Sequence, residues 1–182
     1  TVFTNTGGRF NADHILLATD ENSTPDPFRT PYARGQCVSN IYFLADNKPA
    51  RGRMVFLNAS ANKTVNNIVV MNNISPNYAP DGKYLISVSL LSDHQKKSPD
   101  LLAKQVASEL SKWFKGADGW RYLRTYHIPY ALPIKDKYLD ELPLSEFKLT
   151  ERIFRCGDHL LNGSINAALK SGRLAAEAIL ST

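Results

Sequence analysis

"CGDHLLNGSINAALKSGRLAAEAIL", residues 156–180, is the most patterned stretch of the chain. Read residue by residue it is the end of a strand, a tight turn and then a helix. Gly157 removes a side chain where backbone must come close to a neighbouring group. Asp158 supplies a carboxylate able to accept hydrogen bonds from hydroxyls. Asn162, Gly163 and Ser164 make a second turn and provide an N-cap. The helix predicted over Ile165 to Leu180 begins with N–H groups that have no intrahelical acceptor and with roughly half a positive charge, a seat for a ligand that bears or acquires negative charge. Ala167, Ala168, Gly172, Ala175 and Ala176 keep it slim enough to lie close against a sheet or another helix. Ile165, Leu169, Ile179 and Leu180 are expected to supply its packing. On composition alone, an ordinary capped helix that ends a domain is the competing interpretation.

Working outward, Arg152 to Cys156 reads as a strand running into this turn, and residues 135–150 are charged and irregular. Before them, "WRYLRTYHIPYALP" (120–133) alternates so that Trp120, Tyr122, Tyr126, Ile128, Tyr130 and Leu132 share one face of an extended strand. That aromatic face is either core or the wall of an apolar pocket. His127 points the other way, with no partner identified. Val38 to Ala45, Arg53 to Asn58, Asn67 to Met71 and Tyr84 to Leu91 are each of strand length, rich in β-branched or aromatic residues and separated by turn residues. With no helix between them they imply a largely antiparallel sheet. Ser98 is expected to cap a helix with Pro99 in its first turn and Asp100 against the dipole. Leu102, Val106, Leu110 and Trp113 recur at helical spacing, Gly116 is expected to stop the helix, and the helix should pack on the sheet.

At the other end, Val2 to Thr4 and Phe10 to Ala12 flank a Gly-containing turn and predict a hairpin. His14 to Thr19 is a short apolar run of the kind that forms a strand covered on both faces in a parallel sheet. "DENSTPDPFRTP" (20–31) reads as a linker or domain crossing.

The 182 residues carry a net charge of +5, yet the basic residues are scattered, without the stripe interleaved with aromatics that marks a nucleic-acid surface. No apolar run approaches the roughly 20 residues of a membrane helix. Thr1 to Asp13 has neither the basic start nor the apolar core of a signal peptide, so a cytoplasmic location is expected. Cys37 and Cys156 stand apart with no CxxC or His cluster near them. That excludes a disulfide framework or zinc site and predicts buried free thiols. Asn22, Asn58, Asn62, Asn73 and Asn162 open N-x-[ST] triplets, which without a secretion signal are read as chance occurrences.

The run from Gly157 to Leu180 resembles the C-terminal flavin-binding segment of the FAD-dependent amine oxidase and phytoene desaturase superfamily. In that superfamily the Asp at the position of Asp158 holds the ribityl chain, with its backbone near the pyrophosphate. Backbone N–H groups at the positions of Ser164, Ile165 and Asn166 face the pyrimidine edge of the isoalloxazine. The resemblance therefore implies FAD as cofactor, with Gly157, Asp158, Gly163, Ser164, Ile165 and Asn166 around it. A helix N-terminus aimed at N1 and C2=O would stabilise the reduced flavin. "FNADHILLATD" (10–20) is similar to the segment in which the same superfamily leaves the FAD domain for the substrate domain.

The implied fold is α+β. A mainly antiparallel substrate-domain sheet with a packed helix spans 23–149, and a partial FAD-binding domain is formed by residues 1–22 and 150–182. The G-x-G-x-x-G phosphate cradle of the superfamily is absent: none of the ten glycines falls at that spacing. The chain is therefore expected to be the C-terminal portion of a longer flavin-dependent oxidoreductase, poor at holding FAD and inactive alone. Its missing nucleotide-binding half would then be its partner, and self-association through the uncovered His14 to Ala18 and final helix is expected without it. Many amine oxidases carry an aromatic residue where Ser164 stands, which favours a desaturase-like or other dehydrogenation over amine oxidation; the expected substrate is an unidentified small apolar molecule or amine. Tyr126 and Tyr130 are candidates to line the pocket, and no residue is singled out as acid or base. The alternative is a non-enzymatic β-rich module that binds an apolar ligand or a protein partner.

Overall fold

The computed structural model describes residues 1–30, 34–61, 63–92 and 94–182, so the Asn62 triplet and residue 31 of the proline-rich stretch lie outside the described residues. Its strands are β1 (Val2–Phe3), β2 (Arg9–Phe10), β3 (Ile15–Leu17), β4 (Gly35–Ala45), β5 (Phe56–Leu57), β6 (Val65–Val70), β7 (Tyr84–Leu90), β8 (Arg121–Pro133) and β9 (Ile153–Arg155). The α-helices are α1 (Pro99–Leu110) and α2 (Ile165–Leu180). The chain forms two compact units, one of residues 1–36 with 132–182 and one of residues 37–131.

In the unit made by the chain ends, β1 and β2 form an antiparallel hairpin. β3 lies parallel to β9, with Ile15 opposite Ile153 and Leu17 opposite Arg155. The parallel pairing follows the expectation for the apolar run, but cover on both faces does not: Leu16 is 39% exposed. α2 occupies the predicted residues and turns a different side inward from the one expected. Ala167, Ser171, Ala175 and Ala178 are its buried positions. They let the helix approach closely enough for Ala175 and Ala178 to join Phe147, Phe154 and Cys156 in a small core. Of the large residues expected to pack, only Ile179 is drawn against that core; Ile165, Leu169 and Leu180 are exposed. Small residues win the inward side because their backbone can come nearest to β9 and to the Leu144–Phe147 turn, whose Phe147 is fully buried.

In the other unit the sheet order is β5-β6-β7-β4-β8. The pairings of β5 with β6, β6 with β7 and β7 with β4 are antiparallel. Alternation in β4 and β7 sends Ile41, Phe43, Ala45, Ile86, Val88 and Leu90 to one side, where they pack on Leu102, Ala103, Val106, Ala107 and Leu110 of α1. This is the predicted mixed architecture of antiparallel sheet and covering helix, with β5 cut to Phe56–Leu57. α1 ends earlier than Gly116: Ser111 is its C-cap, and Gly116, at φ 79°, begins the next turn. Trp113 consequently leaves the helical stripe and is half-exposed, and Phe114 takes the inward place against Phe56 and Trp120. Ser98 helps α1 through its carbonyl, which accepts from Leu102 N–H at 3.0 Å, and its side chain makes no capping bond. Cys156 is buried as expected, while Cys37 is only half-buried.

One carboxylate ties helix to sheet. Glu109 Oε1 accepts from Asn58 Nδ2 at 2.9 Å and Val65 N–H at 3.2 Å, and its Oε2 accepts from Thr64 N–H at 3.0 Å. The end of α1 is thereby fastened to the start of β6. Because bonds to a charged group contribute more than neutral ones, Glu109→Ala is expected to lower stability by about 2 kcal/mol. Glu109→Gln should lose less. Urea unfolding followed by far-UV circular dichroism measures both.

Candidate functional site

The turn from β9 into α2 is set by Gly157, whose φ of 155° and ψ of 160° lie in a region open essentially to glycine. A Cβ there would also fall 2.4 Å from Cε1 and Nδ1 of the His159 ring. Ser171, reaching across from α2, accepts from Gly157 N–H at 2.9 Å and donates to the Ala168 carbonyl at 2.9 Å. Asp158 opens the 3-10 turn Asp158–Leu160 and is half-buried. His159 is buried with its Nδ1 unpartnered among the described residues. Burial holds its imidazole below the ordinary value of 6.5, against an opposing pull from the Glu21 carboxylate.

The second turn behaves as its residue types require. Ser164 is the N-cap of α2: its Oγ accepts from Ala167 N–H at 3.1 Å and donates to Asn162 Oδ1 at 2.7 Å. Asn162 Nδ2 in turn donates to the Leu139 carbonyl at 3.3 Å, which anchors the loop. Gly163 runs beneath the end of β8, so that a Cβ would sit 3.0 Å from Pro133 Cδ. The N–H groups of Ile165 and Asn166 are left without intrahelical acceptors by helix geometry. Ile165 is 80% exposed and Asn166 is exposed, whereas Ala167 N–H is capped by Ser164 Oγ and the Ser164 N–H expected to face the flavin already donates to the Asn162 carbonyl at 2.6 Å. All six residues singled out in sequence thus lie in the two turns and at the helix mouth they frame.

A second candidate surface lies within the unit of residues 37–131. The side of the sheet turned away from α1 carries a depression of about 790 Å³, within the range of roughly 300–1,000 Å³ usual for small-molecule sites. Asn40, Tyr42, Ser87, Tyr126 and His127 are among its lining residues. His127, expected without a partner, places Nδ1 2.8 Å from Ser39 Oγ. β4 and β8 are neighbours in the sheet, which brings together residues 88 positions apart. The aromatic run does not keep to one face as expected: Trp120 and Tyr122 pack against the core, while Tyr126 borders the depression on the other side of the sheet. Among the described residues no group of His, Cys, Asp or Glu is arranged to hold a metal ion, and no helix is long and apolar enough to cross a membrane.

Residues 1–180 match the family described as flavin containing amine oxidoreductase. The chain belongs to that family. Among solved structures it is similar to an oxidoreductase from Methanosarcina mazei, with a TM-score of 0.54 and 16% identity over 80% of this chain and 35% of that one. It is also similar to a protein from Pyrococcus furiosus, with a TM-score of 0.61 and 11% identity over 98% of this chain and 43% of that one. At these identities the likeness is one of fold, and the chain spans less than half the length of either structure. No curated protein matches it.

For a chain of the flavin containing amine oxidoreductase family, two features of this turn escaped the reading of the sequence. Ser171 was legible only as one more small residue of a slim helix, although its hydroxyl fixes the turn. His159 was passed over between Asp158 and a leucine pair, although its ring fills the space that Gly157 vacates. Gly157→Ala is expected to destabilise the protein by about 2–3 kcal/mol, since the substitution adds both a forbidden φ and a clash with a buried ring; denaturant titration checks it. His159 also gives a signed pH dependence. Its folded form resists protonation, so the unfolded chain takes up the proton first as pH falls below 6.5. Stability should decline from there towards the lower folded-state pKa by up to about 1.4 kcal/mol per pH unit, and His159→Gln should flatten that slope. Urea midpoints compared at about pH 7.5 and about pH 5 read the effect.

Proposed function

We propose that this chain is the C-terminal portion of a longer FAD-dependent oxidoreductase that dehydrogenates a small, largely apolar molecule. In this reading the unit of residues 1–36 and 132–182 is the FAD-binding part, somewhat wider than the 1–22 and 150–182 expected from sequence. The unit of residues 37–131 is the substrate part, and its open sheet side is the substrate surface. The observation that carries the reading is the first turn of α2, with Ile165 and Asn166 exposed, reached from β9 through a glycine-only turn that carries the half-buried Asp158. Family membership supplies the kind of ligand to which such a mouth answers.

The residues present fit a flavin nucleotide. Gly157 and Gly163 are accounted for within the chain, since a Cβ at either would meet His159 or Pro133; the fit to a flavin rests on Asp158 and the first turn of α2. The Asp158 carboxylate is suited to accept hydrogen bonds from ribityl hydroxyls. The N–H groups of Ile165 and Asn166, with the positive end of the α2 dipole, favour negative charge in front of them. When bound, FAD supplies acceptance of a hydride from the substrate. The charge gained on reduction is what a preorganised helix N-terminus stabilises, without reorganisation at the moment of reaction.

Completion by further polypeptide is supported by three features. The chain spans 35% and 43% of the two similar structures. Among the described residues no strand lies along the outer edge of β3, while β9 is bordered by residues 148–150. Ile165, Leu169 and Leu180, with Gly172 and Ala176 between them, run along one side of α2 as an apolar stripe in solvent, the surface a missing neighbour would cover. Alone, the chain is expected to hold FAD weakly, to lack activity and to self-associate through this stripe.

The longer protein that contains this chain is expected to purify yellow, with flavin absorbance. Asp158→Ala should weaken FAD binding about tenfold, the loss of one hydrogen bond to a charged acceptor. Equilibrium dialysis against FAD measures this. A colourless protein that cannot be reconstituted with FAD would contradict the proposal and favour the non-enzymatic binding module.

A further inference from the structure

The charges around the open sheet side narrow the class of molecule it can take. β4 and β7 present Asn40 and Tyr42 opposite Ser89 and Ser87. Asn40 Nδ2 donates to Ser87 Oγ at 3.1 Å, and Asn40 Oδ1 accepts from Ser89 Oγ at 3.0 Å. The polar floor is therefore neutral and already internally bonded. At the β8 side, Tyr126 stands edge-on to Tyr42 with ring centroids 5.8 Å apart. The Arg124 guanidinium lies 5.0 Å from the Tyr126 centroid.

Among the described residues lining the depression there is no Asp or Glu, and Arg124 is a cation with no ion pair to a described residue. A protonated amine would find no counter-charge. The ring face of Tyr126, the group best able to greet an ammonium through its π system, is already covered by a guanidinium. A carboxylate on an apolar tail meets the reverse situation: methylene groups lie along Tyr42, Tyr126 and Leu85, and the head group meets an unpaired fork of N–H donors.

We infer that the open sheet side of the 37–131 unit takes an elongated apolar carboxylate in preference to an amine, and that Arg124 determines this specificity. The inference rests on the reading of that side as the substrate surface. It needs no flavin for its test.

Calorimetric titration of the full chain with dodecanoate, dodecanol and dodecylamine is expected to rank them in that order. The carboxylate should bind about tenfold tighter than the amine, and Arg124→Gln should reduce the difference to about twofold. Arg124→Lys, which keeps the charge, should retain most of it. Ser87→Phe, which fills the floor, should weaken all three. If the amine binds as tightly as the carboxylate, or if Arg124→Gln leaves the preference intact while Ser87→Phe weakens binding, the substrate class is wrong and the surface stands. If none of the three binds, or Ser87→Phe changes nothing, the surface itself is wrong and the class falls with it.

Discussion

The hydroxyl of Ser171, wholly buried, accepts the Gly157 N–H while giving its own hydrogen to Ala168. With that bond the last strand is tied to the second turn of α2. The backbone at Gly157 is held where almost no other residue could follow, and the His159 ring is free to slide into the vacated space. Everything proposed for the mouth of α2 depends on this tie, because it decides where Asp158 and the first turn of the helix stand relative to β9. A hydroxyl of this kind stabilises modestly in net terms, and losing it would leave the half-buried Gly157 N–H without its partner, which adds to the cost.

A mostly small inward side of α2, flanked by Leu174 and Ile179, and an exposed side carrying Ile165, Leu169 and Leu180 divide its labour. The small side brings the helix hard against β9 and the Leu144–Phe147 turn, which fixes the direction in which the dipole points. The exposed side contributes nothing to the core within this chain. In the proposed holoprotein it is an assembly surface, so a single helix aims the positive end at the cofactor and joins the chain to the rest of its domain. The sheet of the other unit repeats the division: Ile41, Phe43, Ile86 and Val88 pack on α1, while Asn40, Tyr42, Ser87 and Ser89 line the depression on the opposite side.

Much of this was legible beforehand, and the reason is locality. The bounds of α2, its Ser164 cap, the alternation of β4 and β7 and the helical stripe of α1 are written within a few residues of where they act. The helix mouth itself could be located because a cap, a glycine turn and an apolar repeat occur in a fixed order. What could not be read depends on partners far along the chain. A helix with two apolar sides does not announce which one finds the core, so its periodicity points Ile165, Leu169 and Leu180 inward although all three are exposed. The pairing of His127 with Ser39 needs β4 beside β8, and nothing near either residue encodes that adjacency. Trp113 fitted the periodicity of α1 but lay beyond Leu110, where the helix had already turned to place Phe114 in the core.

In the proposed holoprotein the amides of Ile165 and Asn166 meet the flavin. Hydrogen–deuterium exchange of the longer protein with and without FAD, followed at those amides, tests it most directly. Slowed exchange at both on FAD binding, with the amides of α1 unchanged as an internal reference, is the predicted result. FAD bound while Ile165 and Asn166 exchange as fast as in the apoprotein would place the cofactor elsewhere and contradict the account.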